Sequence, residues 1–430
     1  MKYYLPDSQD LVDLSFDFTT ERRGVGRVRD RDDRYAHEVF SGRAFDGMLV
    51  SKAIVDGTGG AGQARYTRVQ RERLAHEGVH RSFRAVAHRW GPISFMGDCG
   101  AFSYIKQALP PYSVDEVITF YDAGDFDCGL SVDHVIPEFR PEWDSDLFGA
   151  DCVPAAIRDR QALTLDLAAD FHRTVRRGGL RFIPIGVAQG WSPRSYAFAV
   201  DALQKIGFRY VALGGVVRMK TPEILHCLAA IQGTRRPDTR LHLLGVSRLA
   251  ELARFGELGV ASFDSTSPLR QAFMADRGNY HTLDHAFSAI RVPQVEGNAR
   301  LAARIRAGEV DEAEAREGER RCLRRLAEYD DGGCSLAVVL AALATYGRLH
   351  DARSDRGEEY REVLEARPWR ACACEICRRL GHHVVVFRGA ERNRGRGLHN
   401  VWVFYRRLAR GLSESVVEAS AQGGSVGRGT

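Results

Sequence analysis

Short apolar runs rich in β-branched residues alternate with amphipathic stretches over the first 292 residues of the chain. This alternation is typical of β-α units that build a parallel sheet or barrel. Helical stretches are predicted at 162–176, 195–205, 222–231 and 247–255. The eight predicted strands are 47–54, 93–97, 130–136, 181–187, 210–213, 241–246, 260–263 and 287–292. They indicate an α/β fold of the (β/α)8 TIM-barrel type, with an open doubly wound sheet as the alternative.

Polar residues follow several predicted strands at the points where the strands end. Asp98 and Asp264 directly follow two of them, Asp133 ends the run Leu130-Ser-Val132 of a third, and Gln189 and Gly214-Gly215 follow two others. In a barrel the C-terminal ends of the strands meet at one face, so these residues should converge on one pocket. A single aspartate at such a place is more often a strand-end cap, but the joint placement on separate strands favours chemistry.

Two carboxylates in one pocket suit a displacement at a glycosidic bond. One can attack the sugar carbon while the other moves protons. The third aspartate, the amide and a glycine N–H suit the edge of a planar heterocycle.

Three cysteines cluster near the C-terminus in Cys372-Ala-Cys374-Glu-Ile-Cys377, and a histidine follows in Leu398-His399-Asn400. A closed tetrahedral set of three thiolates and one imidazole is a structural Zn²⁺ site. His382 and His383 are rival fourth ligands, but a knuckle of adjacent cysteines usually takes its last ligand from a separate element. A redox CxxC motif or unpaired thiols are the alternative. The predicted zinc ligands are Cys372, Cys374, Cys377 and His399.

The composition is that of an ordinary soluble protein, with 44% hydrophobic and 27% charged residues. The N-terminus has no signal-peptide core, and the longest apolar run, at 336–346, is too short to span a bilayer. The cysteines outside the cluster show no paired framework, which fits a reducing compartment. We therefore expect a cytoplasmic protein with no membrane partner.

Arginines concentrate around the cysteine segment. Between residues 370 and 410, ten arginines stand against Glu375 and Glu391, while the net charge of the whole chain is only +5. A basic face beside a zinc site suits a phosphate backbone, and a solvated surface is the alternative. The predicted nucleic-acid contacts are Arg270, Arg388, Arg392, Arg394 and Arg396.

The pattern after residue 292 changes to helices, predicted at 302–329, 336–346 and 353–367. From residue 413 onward Gly, Ser and Ala dominate, which is typical of a frayed tail. We expect a barrel over 1–300, a helical insertion over 301–367, a zinc-binding basic subdomain over 368–412 and a flexible tail over 413–430.

One glycine motif offers a competing interpretation. Gly57-Thr-Gly59-Gly-Ala-Gly62 matches GxGxxG after a predicted strand, with Glu77 near the place of a ribose-binding acid. A nucleotide site there would leave the later strand-end carboxylates unexplained. A flexible loop near a barrel mouth explains the glycines as well.

Taken in order, the motifs resemble those of the tRNA-guanine transglycosylase superfamily, from the second predicted strand to the zinc segment. Asp98-Cys-Gly-Ala-Phe102 resembles that family's Asp-Ser-Gly-Gly-Phe, and Phe263-Asp264-Ser-Thr-Ser-Pro-Leu-Arg270 resembles Phe-Asp-Cys-Val-Leu-Pro-Thr-Arg. The segments 186–190, 212–215 and 243–246 are similar to Gly-Ile-Val-Gln-Gly, Ile-Gly-Gly-Leu and Leu-Met-Gly-Val.

This resemblance implies a transglycosylase in which Asp264 is the covalent nucleophile and Asp98 is the general acid and base that transfers protons. Zinc would be structural, and no ATP or redox cofactor is expected because one glycosidic bond is exchanged for another. The expected base pocket consists of Asp133, Gln189, Gly214, Gly215, Phe102, Leu244 and Cys99.

Departures from the family pattern indicate a branch. Lys220 stands where the family's Gly-Gly-Leu-Ala-Val-Gly-Glu has its acid, and the opening Tyr4-Leu-Pro-Asp7 most resembles the DNA-modifying DpdA branch of 7-deazaguanine gene clusters. Those enzymes exchange guanine in DNA for preQ0, 7-cyano-7-deazaguanine. The expected partners are DNA with a flipped guanine, the preQ0 base and an accessory protein for DNA targeting. A transglycosylase acting on tRNA is the alternative, and a non-catalytic zinc-containing nucleic-acid binder is a remoter one.

Overall fold

The protein divides into two compact units in a computed structural model that describes residues 1–57, 65–86, 88–144, 152–351 and 355–423, with side chains described through residue 412. The first unit comprises Met1–Gln9, Phe45–Thr266 and the chain from Arg407 onward, and the second comprises Asp10–Ala44 and Ser267–Arg406. The units interleave along the chain, so they differ from the contiguous boundaries expected at residues 300, 367 and 412.

A closed barrel of parallel strands forms the first unit, which confirms the predicted (β/α)8 fold. In the described residues its strands follow chain order around the barrel, and β1 pairs with both β2 and β8. The strands are β1 Lys2–Pro6, β2 Gly47–Ser51, β3 Ser94–Asp98, β4 Cys128–Leu130, β5 Ile183–Ala188, β6 Tyr210–Leu213, β7 Arg240–Leu243 and β8 Val260–Asp264.

The strand at residues 287–292 was predicted to complete the barrel, and this prediction is wrong. That stretch contributes only short strands outside the barrel, and Lys2–Pro6 takes the place instead. The reason lies in composition, since Lys2-Tyr-Tyr-Leu-Pro6 contains no β-branched residue and ends in proline. The short strands are β9 Tyr280–His281, β10 Ala286–Phe287, β11 Ile290–Arg291 and β12 Val386–Phe387.

Helices cross between the barrel strands and begin at good capping residues. Ser113 and Ser192 each accept a hydrogen bond from the third backbone N–H of the helix that follows, and Pro193 occupies the first helical position. The helices are α1 Arg29–Asp32, α2 Ala36–Val39, α3 Lys52–Asp56, α4 Arg68–Ser82, α5 Val114–Ala123, α6 Ala155–Gly178, α7 Pro193–Ile206, α8 Thr221–Gln232, α9 Leu252–Glu257, α10 Ser267–Met274, α11 Ala299–Arg306, α12 Glu312–Asp330, α13 Leu336–His350, α14 Gly357–Ala366, α15 Pro368–Ala371, α16 Glu375–Leu380 and α17 Gly389–Gly423.

Alternate residues of the barrel strands share one face and form a buried core. Polar residues of the site continue this face, since Asp98 lies two positions beyond Met96 and Asp264 two beyond Ser262. The core residues are Tyr4, Leu49, Met96, Cys128, Leu130, Ile185, Val187, Tyr210 and Ala212.

Two predicted segments, one expected to be a single helix and one expected to be a flexible tail, differ from the structure. The stretch 302–329 is two helices, because Gly308 has a positive φ of 73° and Asp311 caps α12 by accepting a 2.8 Å hydrogen bond from the backbone N of Glu314. The tail expected from residue 413 is helical as far as Gly423, since α17 contains no proline to end it, and 424–430 lie outside the described residues. Within the described part of the chain, no helix has the length and apolar character needed to span a bilayer.

Candidate active site

The predicted site residues do meet at one end of the barrel. Asp98 and Asp264 are the last residues of β3 and β8, and Gln189 follows β5 directly. Asp133 lies just beyond β4, and Gly214-Gly215 follow β6. Parallel strands bring all of these to the carboxyl end of the barrel, which is the face that carries the active site in this fold.

Asp133 is the centre of a buried cluster of neutral donors. Gln189 donates from Nε2 to Oδ2 of Asp133 over 2.6 Å, and the Cys99 thiol donates to Oδ1 over 3.3 Å. Tyr104 lies behind Cys99, with its hydroxyl 3.0 Å from Sγ. Burial raises the pKa of the Cys99 thiol well above its usual value, so Cys99 stays a thiol and a donor.

The turn after β6 must be glycine because the Gln189 amide lies against its backbone. A Cβ at Gly214 would be 2.2 Å from Nε2 of Gln189, and one at Gly215, where φ is +76°, would be 3.1 Å from Oε1. Tyr196 fixes the turn by donating a 2.7 Å hydrogen bond to the Gly214 carbonyl. These contacts hold the amide where it meets Asp133.

Two carboxyl groups of the site bind protons more tightly than usual. Burial and the nearby charge of Asp133 raise the pKa of Asp98 to about 7, and Asp264 contributes in the same direction. Burial raises the pKa of Asp133 to about 6, against the hydrogen bonds from Gln189 and Cys99. Asp98 can therefore exchange protons near neutral pH, as a general acid and base requires.

Among the described residues, the hydrogen-bond partners of the Asp264 side chain all meet one of its oxygens. Its Oδ1 accepts 2.9 Å from the Gly245 backbone N and lies 3.2 Å from Nε2 of His242. The other ring nitrogen of His242 lies 2.6 Å from Oγ of Ser262, which also contacts the hydroxyl of Tyr210. His242 and Ser262 were not predicted from the sequence, although His242, a single polar residue between two leucines of a barrel strand, is a usable signal.

Apolar side chains expected to sandwich the base lie on loops at this end of the barrel. Phe102 belongs to the short 3-10 helix Ala101–Tyr104 and is 45% exposed. Leu244 follows β7 and packs, partly buried, against the barrel core. Lys220, the residue that departs from the family pattern, is the exposed N-cap of α8.

The glycine motif falls largely outside the described residues. Gly57 ends α3 with φ of 78°, and residues 58–64 of the motif are not among those described. The structure therefore adds nothing to the nucleotide-binding interpretation.

In the second unit, the three cysteines and His399 form a tight donor cluster. Their donor atoms all lie within 4.8 Å of one another, and Nδ1 of His399 is 3.3–3.7 Å from the three sulfur atoms. Ligands of a tetrahedral Zn²⁺ with ordinary bond lengths would be separated by about 3.6 Å between nitrogen and sulfur. The set fits a tetrahedral metal ion.

Surrounding contacts select His399 and its tautomer. Nε2 of His399 donates 2.7 Å to the carbonyl of His281, which leaves Nδ1 for the metal. The ring stacks on Tyr280 with centroids 4.2 Å apart. The rival His382 pairs instead with Asp330 at 3.2 Å, and His383 stacks on Phe18.

Three of the predicted nucleic-acid contacts are buried, and the structure corrects that prediction. Arg388 pairs with Glu21 and Glu319, and Arg392 also pairs with Glu21. Against the effect of burial, these guanidinium groups lower the pKa of Glu21 to about 2. Arg396 is fully buried and donates to the carbonyls of Ala272, Val384 and Val386.

Two predicted contacts remain on the surface of their unit. Arg394 is partly exposed, with 24% of its side-chain area accessible, and pairs with Glu391. Arg270 is exposed on α10, and its Nε contacts Sδ of Met274 over 3.2 Å.

Together, the closed barrel, the carboxylates at its strand ends and the amide held beside them define a barrel enzyme that exchanges groups at a glycosidic bond. No protein-family model matches the chain. A curated protein of Salmonella montevideo, named DNA-guanine transglycosylase, is 46% identical to it over 417 residues, which cover 96% of this chain and 98% of the relative. The chain belongs to the guanine transglycosylase family and is a pentosyltransferase.

Proposed function

We propose that this enzyme replaces guanine in DNA by preQ0 through a covalent glycosyl ester on Asp264, and that it belongs to the DNA-modifying DpdA branch. The name and full-length similarity of the Salmonella relative support DNA as the substrate. The observation that carries the chemistry is the pairing of two strand-end carboxylates. Oδ1 of Asp264 is held by the Gly245 N–H and His242, and Asp98 has a pKa of about 7.

In the first half of the reaction Asp264 attacks C1′ of the target deoxyguanosine. The C1′–N9 bond breaks and its electron pair leaves with guanine. Asp98 in its acid form supplies the proton that the departing base needs, and Asp264 becomes a glycosyl ester. Each half is a displacement that inverts C1′, so the two halves together retain its configuration.

In the second half preQ0 occupies the place of guanine. Asp98, now a carboxylate, takes the N9 proton of the incoming base as its nitrogen attacks C1′. The C1′–O bond breaks and the electron pair returns to Asp264. Each group ends in its starting protonation state, so the cycle consumes no other reactant.

The proposed base pocket binds the hydrogen-bonding edge of a neutral, purine-like base. Asp133 accepts from the N1–H and exocyclic amine, while Gln189 and the Gly215 N–H bind the carbonyl side, and Phe102 and Leu244 cover the ring faces. A neutral nitrile needs no acidic partner, which agrees with the lysine at position 220. Guanine in a duplex must be flipped out to reach this depth, at a cost of about a few kcal/mol.

The donor cluster of the second unit would hold Zn²⁺ with a structural role. Cys372, Cys374, Cys377 and His399 fill all four positions, which leaves none for water or substrate. Arg270 and Arg394 are the candidates for contact with the phosphate backbone, and an accessory protein would target the enzyme to its DNA.

Base exchange with labelled preQ0, run in parallel on duplex DNA and on tRNA, tests the proposal. We expect incorporation into DNA by the wild type and a denaturation-resistant enzyme–DNA adduct. Asp264→Asn should lose both by at least about a thousandfold, because an amide is a poor nucleophile. The matched control is Asp159→Asn, which changes an exposed aspartate on α6.

The outcomes separate the candidate functions. Incorporation into tRNA alone would replace the DNA assignment by the tRNA one and leave the chemistry intact. Full turnover by Asp264→Asn would remove Asp264 as nucleophile. Nucleic-acid binding without exchange on either substrate, with the accessory protein present, would favour a non-catalytic binder.

A further inference from the structure

A continuous chain of hydrogen bonds runs from the barrel interior to the Asp264 carboxylate. The Tyr210 hydroxyl contacts Ser262 Oγ, Ser262 Oγ lies 2.6 Å from Nδ1 of His242, and Nε2 of His242 lies 3.2 Å from Oδ1 of Asp264. His242 and Ser262 are fully buried and are register partners on β7 and β8. None of these three groups has a part in the proton transfers proposed above.

Burial sets the direction of the donors in this chain. Polar groups inside an apolar barrel need partners, and the carboxylate of Asp264 can only accept. The hydrogen shared by Nε2 and Oδ1 therefore resides on Nε2. Ser262 can satisfy Nδ1 in either protonation state of the ring, so it orients the imidazole without fixing its charge.

The donors make the two oxygens of Asp264 unequal. Oδ1 accepts from both the Gly245 N–H and His242, whereas Oδ2 has no hydrogen-bond partner among the described residues. Oδ2 is therefore the oxygen available to attack C1′, and Oδ1 becomes the carbonyl oxygen of the ester.

We propose that His242 is a positioning residue that selects Oδ2 as the nucleophilic oxygen and stabilises the Asp264 carboxylate when the ester breaks down. This inference rests on the proposed function, because it concerns the covalent step on Asp264. The stabilisation by His242 is largest in the states in which the Asp264 carboxylate carries most negative charge, before the ester forms and after it breaks down.

Removal of the His242 donor should affect ester formation and ester breakdown differently. A donor to Oδ1 stabilises the free carboxylate more than the neutral ester, with the transition states in between. Removing it lowers the barrier to ester formation relative to the free enzyme and raises the barrier to ester breakdown. Covalent adduct should therefore accumulate, whereas a merely distorted site would slow both steps.

Two amide substitutions test the contacts of the two ring nitrogens of His242 separately. In His242→Gln the side-chain amide reaches the place of Nε2 and keeps a donor to Oδ1. In His242→Asn it reaches only the place of Nδ1, so the contact with Ser262 survives and the one with Asp264 is lost. The groups that face the ring are otherwise unchanged: Asp264, Ser262, Tyr210 and Tyr4, whose ring lies 6.0 Å from it.

Single-turnover experiments on guanine-containing DNA, with and without preQ0, measure adduct formation and release. We expect His242→Asn to release the adduct about ten- to hundredfold more slowly than the wild type and to hold a larger trapped fraction. His242→Gln should stay within about threefold of the wild type in both steps. Equal behaviour of the two variants, or slower adduct formation without accumulation, would overturn the proposal.

A measurement on the free enzyme keeps this test separate from the proposed function. In ¹⁵N-histidine NMR spectra, His242 should show a hydrogen-bearing Nε2 that exchanges slowly, and Asp264→Asn should change that signal. A bare Nε2 would overturn the positioning role whether or not the enzyme is active. Absence of any adduct in the wild type would instead contradict the covalent function.

Discussion

Asp133 accepts a hydrogen bond of 2.6 Å from the side-chain amide of Gln189, so two strand ends of the barrel share one buried polar contact. The donors that this carboxylate meets in the structure, Gln189 and Cys99, are both neutral. A carboxylate with such partners retains acceptor capacity for the N–H edge of a base. This relationship supports the proposed role of Asp133 in the base pocket.

Replacing Asp133 by alanine should raise the KM for preQ0 by about a hundredfold or more. The donor edge of the base would be left unpaired in a buried place, which costs more than an exposed contact does. Steady-state exchange at varied preQ0 concentration measures this, with Asp159→Ala as the surface control. An unchanged KM would remove Asp133 from the base pocket.

Replacing Asp98 by asparagine should stabilise the fold at alkaline pH while reducing exchange by about a thousandfold. The folded pKa of about 7 exceeds the ordinary value of 3.8, so folding is penalised when this group must ionise. That penalty is full above pH 7 and fades as the pH falls toward 4. Melting curves should show the variant higher by a few degrees at pH 8, with the difference shrinking on acidification.

Replacing Gly214 by alanine should displace the Gln189 amide and raise the KM for the base by about tenfold. The new Cβ would lie 2.2 Å from Nε2, so the amide would have to leave Asp133. Gly347→Ala is the matched control, because among the described residues only its own helix backbone and chain neighbours lie within 4 Å of the new Cβ in α13. The control should be neutral or more stable by up to about 1 kcal/mol. Equal kinetics for the two variants would contradict the steric argument.

Replacing Cys374 by serine should lower metal content and thermal stability together. A structural metal site adds its metal-binding free energy to the stability of the fold, so the variant should lose several kcal/mol of unfolding free energy. Metal analysis of the purified protein identifies the ion, which we expect to be zinc, and melting curves report the stability. Cys334→Ser, outside the donor cluster, should change neither. A stable, active protein without metal would exclude a structural role.

Arginines of the second unit should divide into structural and binding groups. Arg388→Ala leaves the partly buried Glu319 without its guanidinium partner and Glu21 with Arg392 alone, and should cost about 3 kcal/mol of stability. Arg394→Ala should leave the melting temperature nearly unchanged, weaken DNA binding and reduce its dependence on salt. Denaturant titration and binding at two salt concentrations distinguish them. A stable Arg388→Ala variant with weakened binding would reverse this assignment.

Most of the barrel was predictable because its strands are apolar runs with helices between them. The strand-end aspartates were predictable for the same reason, since a polar residue that closes an apolar run stands out in the sequence. Strand β1 was not, because Lys2–Pro6 has no β-branched residue and its partner β8 is distant along the chain.

The buried arginines show what a local pattern leaves out. Arg388 and Arg392 look like surface charges in a basic stretch, and only the fold brings Glu21 to them from the other end of the sequence. His242 was missed for a related reason. Its role depends on Ser262 and Asp264 of the neighbouring strand, which the sequence of β7 alone does not contain.

The pairing of β1 with β8 has a consequence for the order in which the protein becomes active. During synthesis β1 can pair with β2 early, but its other edge lacks its barrel partner until Val260–Asp264 has been made. The strand that closes the barrel is also the one that carries Asp264. A nascent chain therefore cannot place the proposed nucleophile before the barrel strands are complete, and if Asp264 has that role, activity itself reports closure.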